Sequence, residues 1–172
     1  LRNSYGYDVK IISYLQGNKY LYSRGYNNLN EVTPMDYCSI GLLPTNKMGV
    51  YIHNCIREFT PDLIVVDGEP LMIKSIKISH PSIKVVALLN PADVVNPNNY
   101  KEAMDFFNEF YSLSDLAIVH GLRRIDKDSR YNEFLSINTI IRPEIIGVKN
   151  IPTNNIYCVL GGGTVNVEQQ FV

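Results

Sequence analysis

Several residues in this 172-residue chain stand where the ends of apolar runs meet loops, and their types suit chemistry on a hydroxyl or a phosphate. Asp67 closes the run Leu63-Ile64-Val65-Val66, and Glu69 follows two residues later. A carboxylate at the end of a buried strand can orient an acceptor hydroxyl or take its proton. Each acid also has an ordinary role, Glu69 as a helix-start charge before Pro70 and Asp67 as a turn former. Asn90 ends the run Ile83 to Leu89 and can hydrogen-bond a sugar hydroxyl, or simply shape the turn at Pro91. His120 ends the run Asp115 to Val119 ahead of Gly121, as a base, acid or phosphate donor, or as a structural histidine. Gly161-Gly162-Gly163-Thr164 follows the run Ile156 to Leu160; bare glycine backbone lets amides approach a phosphate or sugar, although a plain turn uses the same residues.

Other polar clusters are weaker. Arg123, Arg124, Lys127 and Arg130 form a basic run suited to a pyrophosphate or an anionic head group, but Asp126 and Asp128 interrupt it, as in a solvated loop. His53, within a helical pattern, and His80, just after another, show no metal-ligand spacing, so no metal site is expected. Cys38, Cys55 and Cys158 are odd in number and far apart, which indicates neither a disulfide framework nor a zinc knuckle and fits a reducing cytosol. Tyrosines between Tyr5 and Tyr26 can stack on sugar rings or meet a membrane interface, or serve packing alone. The sequence has no GxSxG elbow, GxxxxGK[ST] loop, HExxH helix or kinase signature, and the three adjacent glycines do not reproduce GxGxxG.

The elements that must position these residues alternate in type. Asp8 to Tyr14 reads as a strand, and Thr45 to Phe59 as an amphipathic helix with Met48, Ile52, Cys55, Ile56 and Phe59 on one face. Thr60-Pro61 ends it. Asp62 to Asp67 reads as a strand buried on both faces, as in a parallel sheet. A helix from Pro70 to about Ser79 follows, then the strand Ile83 to Leu89. Asn99 with Glu102 resembles a capping box for a helix ending near Ser114. Strands at Asp115 to Val119, Asn138 to Ile141 and Ile156 to Leu160 complete about six. The order predicts an α/β fold with a Rossmann-like parallel sheet and flanking helices.

Bulk composition agrees with one globular domain: 45% of residues are hydrophobic and 19% charged. Sixteen basic against seventeen acidic residues give a net charge of -1, unlike the basic footprint of a nucleic-acid binder. No run approaches the roughly 20 apolar residues of a spanning helix.

The motifs together resemble two-domain, GT-B type glycosyltransferases, the UDP-glycosyltransferases and their family 28-like relatives. The resemblance lies in Tyr5-Gly-Tyr-Asp-Val-Lys-Ile-Ile-Ser-Tyr14 with Lys19 to Tyr26, then Pro61-Asp-Leu-Ile-Val-Val-Asp-Gly-Glu-Pro70, Val85 to Asn90, Ser114 to Val119, Arg142-Pro-Glu-Ile145 and Asn155 to Thr164, in that order. It implies an acceptor-binding domain over 1–148 that lacks its first strand, then a linker and the first strand and glycine loop of a nucleotide-sugar domain over 149–172. The chain is therefore expected to be interrupted at both ends, with a Gly-His loop carrying an acceptor-side base before Leu1. The implied reaction is sugar transfer from a nucleotide-sugar donor to a small-molecule or lipid acceptor. Asp67 and Glu69 are then catalytic, Asn90 and His120 acceptor-binding, and Gly161, Gly162, Gly163 and Thr164 donor-binding. No cofactor or metal is implied, the compartment is cytoplasmic, and peripheral membrane contact and dimerisation stay open. A nucleotide-sugar epimerase or hydrolase of the same plan and a non-catalytic α/β ligand-binding module are the alternatives.

Overall fold

The structure, a computed structural model, describes residues 2–13, 16–26, 29–31, 46–68, 70–95, 100–122, 124–126, 128–141 and 143–149. Two compact units divide the chain, Leu1–Ile140 and Ile141–Val172. In chain order the first unit holds α1 (Arg2–Tyr5), β1 (Ile11–Ser13), α2 (Gln16–Ser23), β2 (Leu29–Glu31), α3 (Asn46–Phe59), β3 (Leu63–Asp67), α4 (Pro70–Ser79), β4 (Lys84–Leu89), α5 (Pro91–Val94), α6 (Lys101–Tyr111), β5 (Leu116–Gly121) and β6 (Phe134–Asn138). The second unit contributes the single turn α7 (Pro143–Ile146).

Among the described residues the strands form two sheets, both wholly parallel. β1 pairs with β2, and the larger sheet runs β3-β4-β5-β6. The fold is thus α/β, with a four-stranded parallel sheet flanked by helices. Because successive parallel strands lie side by side, right-handed crossovers carry α4 and α6 to the same face, where they pack against each other. The core forms there. Val66, Ala87 and Ala117 are register partners across three strands and are buried, as are Val85, Leu89 and Val119, against Met72, Ile73 and Ile76 of α4, Tyr111 of α6 and Ile56 of α3.

Among the described residues the other face of this sheet is the more exposed, or open, one. Residues of opposite parity, Leu63 and Val65 of β3 and Leu135 of β6, are about half exposed. This corrects the expectation that the Asp62 to Asp67 run is buried on both faces: among the described residues β3 is an edge strand and helices cover one side of it. No helix of the described residues is long and apolar enough to cross a membrane.

Most expected elements agree with the sequence pattern to within a few residues, and several details differ. The strand expected at Asn138 to Ile141 lies earlier, at β6, because Phe134 pairs with Ala117 and places Leu135 and Ser136 beside Ile118 and Val119. Ile140 and Ile141, whose branched side chains suggested a strand, are left exposed. At α6 the N-cap residue is Tyr100 and no side chain caps the helix, while Asn99 lies outside the described residues. The strand β2 and the turn α5 have too little periodic sequence to stand out. The run Ile156 to Leu160 also lies outside the described residues.

Candidate functional site

All four strands of the main sheet point the same way, so the residues that follow them gather along one edge. Asp67 is the last residue of β3, Asn90 follows β4, and His120 is the penultimate residue of β5. Ligands of open parallel sheets bind at this carboxyl edge, because loops and helix starts leave it with unpaired backbone groups. Gly68 turns the chain sharply after Asp67 with φ of 80°, a left-handed conformation that a side chain disfavours. The helix α4 begins at Pro70.

Strand parity sorts these residues further. Asp67 lies in register with Leu88, which pairs with Ile118, which pairs with Leu135. His120 lies two residues beyond Ile118 on the same face, opposite Ile137. An exposed carboxylate and a half-buried imidazole therefore share the open face, with Leu88 and Ile118 between them. Strand spacing and rise put their Cα atoms roughly 12 Å apart, too far for a direct hydrogen bond but spanned by a small bound molecule.

Asn90 is occupied locally. Its Oδ1 accepts a 2.8 Å hydrogen bond from the Ala92 amide, which caps the short turn α5. The turn-shaping role weighed for Asn90 is therefore present in the structure. Glu69 and residues 161–164 lie outside the described residues, as do Arg123 and Lys127. Of the basic run, Arg130 is committed: it binds Asp128 at 2.5 Å and Asp105 at 3.4 Å. The Arg130 guanidinium holds the Asp128 carboxyl below the usual carboxylate range, so Arg130 is engaged by neighbouring carboxylates.

A second polar cluster was not legible in the sequence. His53 on α3 and His80 just after α4 are 27 positions apart, yet His53 Nδ1 and His80 Nε2 meet at 3.1 Å. On its other side His53 Nε2 lies 2.7 Å from Ser75 Oγ on α4. Burial holds the His53 imidazole below its ordinary value, helped by the nearby His80 and Arg57. Sequence spacing gave no sign of this contact, because helix packing supplies what local spacing does not. The only signal available was that His53 lies within one helical pattern and His80 just after the next. This cluster sits away from the carboxyl edge: α4 starts beside that edge and its ten residues carry the chain about 15 Å before His80.

Among the described residues no three His, Cys, Asp or Glu side chains converge as a metal cluster. Compared with family models, curated proteins and solved structures, the chain matches none.

Proposed function

We propose that this chain is the acceptor-binding, Rossmann-like part of a GT-B type glycosyltransferase, working in the cytoplasm on a nucleotide-sugar donor. The observation that carries the reading is the gathering of Asp67, Asn90 and His120 at the carboxyl edge of a parallel sheet. The order of family-like motifs from Tyr5 to Thr164 supports it further.

In this reading the open face beside Asp67 seats the acceptor, with Leu88 and Ile118 beneath its apolar part and His120 donating or accepting at its far hydroxyls. Asp67, or Glu69, takes the proton of the attacking hydroxyl. The acceptor oxygen bonds to the anomeric carbon as the bond from that carbon to the phosphate oxygen breaks. The electron pair leaves with the nucleoside diphosphate.

The test is sugar transfer by the full-length protein from a panel of radiolabelled nucleotide sugars, repeated with Asp67→Asn and Glu69→Gln. Loss of at least about a hundredfold in kcat for one of them is expected, given what a positioned general base contributes. Full rate in both variants, or no donor turned over, rejects the assignment.

A further inference from the structure

We propose that His53 and His80 form a two-histidine chelate for a borderline divalent transition-metal ion such as Zn2+, clamping α3 to the end of α4. The 3.1 Å separation of His53 Nδ1 and His80 Nε2 is the first reason. Two imidazole nitrogens each about 2.0–2.1 Å from a zinc ion and 3.1 Å apart subtend roughly 98° at the metal, a normal angle for adjacent ligands.

The tautomers are the second reason. Ser75 Oγ lies 2.7 Å from His53 Nε2, and in the tautomer whose Nε2–H donates to that hydroxyl the Nδ1 lone pair is directed at His80. Ligating histidines are commonly oriented by such a bond from the second ring nitrogen. In the metal-free pair a proton on His80 Nε2 fills the gap as a hydrogen bond. Moving that proton to His80 Nδ1 changes no net charge and leaves two lone pairs converging on one point, which a cation occupies.

The surroundings set the class of site. Since no third His, Cys, Asp or Glu joins the pair among the described residues, the remaining positions go to water. Arg57 adds positive charge near His53, although its guanidinium is drawn to Asn54 Oδ1. The site is therefore open and exchangeable, unlike a closed structural zinc site. Because the ligands come from two elements, occupancy adds a link between α3 and α4 and raises the unfolding midpoint.

The test is titration of the purified protein with Zn2+ alone, followed by nitrogen-detected NMR of the imidazoles and by thermal unfolding. One equivalent is expected to shift the His53 Nδ1 and His80 Nε2 resonances selectively and to raise the midpoint by several degrees. His53→Gln and His80→Gln should each weaken binding at least about tenfold, and Ser75→Ala should weaken it by a smaller factor. His80 lies outside the helices, so His80→Gln stays informative if His53→Gln fails to fold. Binding weaker than millimolar in the parent, or unchanged binding in His80→Gln, overturns the proposal. The outcome is independent of any sugar-transfer assay.

Discussion

Val85 and Asp115 bind each other in both directions: the Asp115 amide donates to the Val85 carbonyl at 2.8 Å, and the Val85 amide donates to Asp115 Oδ2 at 2.8 Å. Lys77 donates to the same carboxylate oxygen at 2.9 Å and Lys84 to the other at 3.3 Å. The start of β4 is thereby tied to the start of β5 and to the end of α4.

This clasp makes a pH-dependent prediction. Burial raises the Asp115 carboxyl, but the Val85 amide and the two lysines outweigh it and bring it down to about 2. A lowered native value means that the stabilisation is complete above the ordinary carboxylate range and is lost as pH falls through about 2. Asp115→Asn should cost about 1–2 kcal/mol at neutral pH, allowing for partial solvent screening. Urea unfolding of both proteins should show that difference shrinking toward zero in strong acid. A difference independent of pH would show that the charge is not what matters.

Tyr131 and Asn108 form the corresponding buried link at the end of α6. The Tyr131 hydroxyl donates to Asn108 Oδ1 at 2.5 Å, and Asn108 Nδ2 donates to the Val94 carbonyl at 3.4 Å. Both residues are almost wholly buried, so Tyr131→Phe strips a donor from an amide that water does not reach. The expected cost is about 1–3 kcal/mol by chemical denaturation. Asn108→Leu with Tyr131→Phe should cost less than the sum of the two single changes, since the pair is removed together.

Thr60 ends α3 with φ of 47°, left-handed backbone that a β-branched residue adopts at a cost. Its amide still donates to the Ile56 carbonyl at 2.8 Å, in the manner of a helix C-terminal turn. Thr60→Gly should therefore relieve roughly 1–2 kcal/mol of strain. The greater freedom of glycine in the unfolded chain returns part of that. A net gain of about 0.5–1 kcal/mol is expected, read as a higher unfolding midpoint. A fall in the midpoint would show that Thr60 makes up its strain elsewhere.

Neighbouring valines of β3 report on the two faces of the sheet. Val66 is 6% exposed and faces the helices, whereas Val65 is 52% exposed on the open side. Val66→Ser should cost about 2 kcal/mol or more, and Val65→Ser less than about 1 kcal/mol. Equal costs would mean that something covers the open face in solution.

How much of this was legible in the sequence depends on how local the signal is. Leu63 to Val66 and Val85 to Leu89 are continuous β-branched or aliphatic runs, and α3, α4 and α6 carry apolar residues at three- and four-residue intervals; local periodicity suffices for both. A parallel sheet and its carboxyl edge follow from that alternation, so Asp67, Asn90 and His120 could be placed before any coordinates. Short or irregular strands could not: β2 and β6 owe their conformation to partners distant in sequence, as Phe134 does to Ala117.

What sequence alone determined here is therefore the kind of element and the edge at which strand-terminal residues lie, because backbone alternation is a local property. Tertiary structure decided which face of β3 is covered, since identical runs of Leu, Ile and Val serve a strand buried on one side or on two. It also decided that His53 and His80 touch, as no spacing along 27 residues encodes the packing of one helix on another.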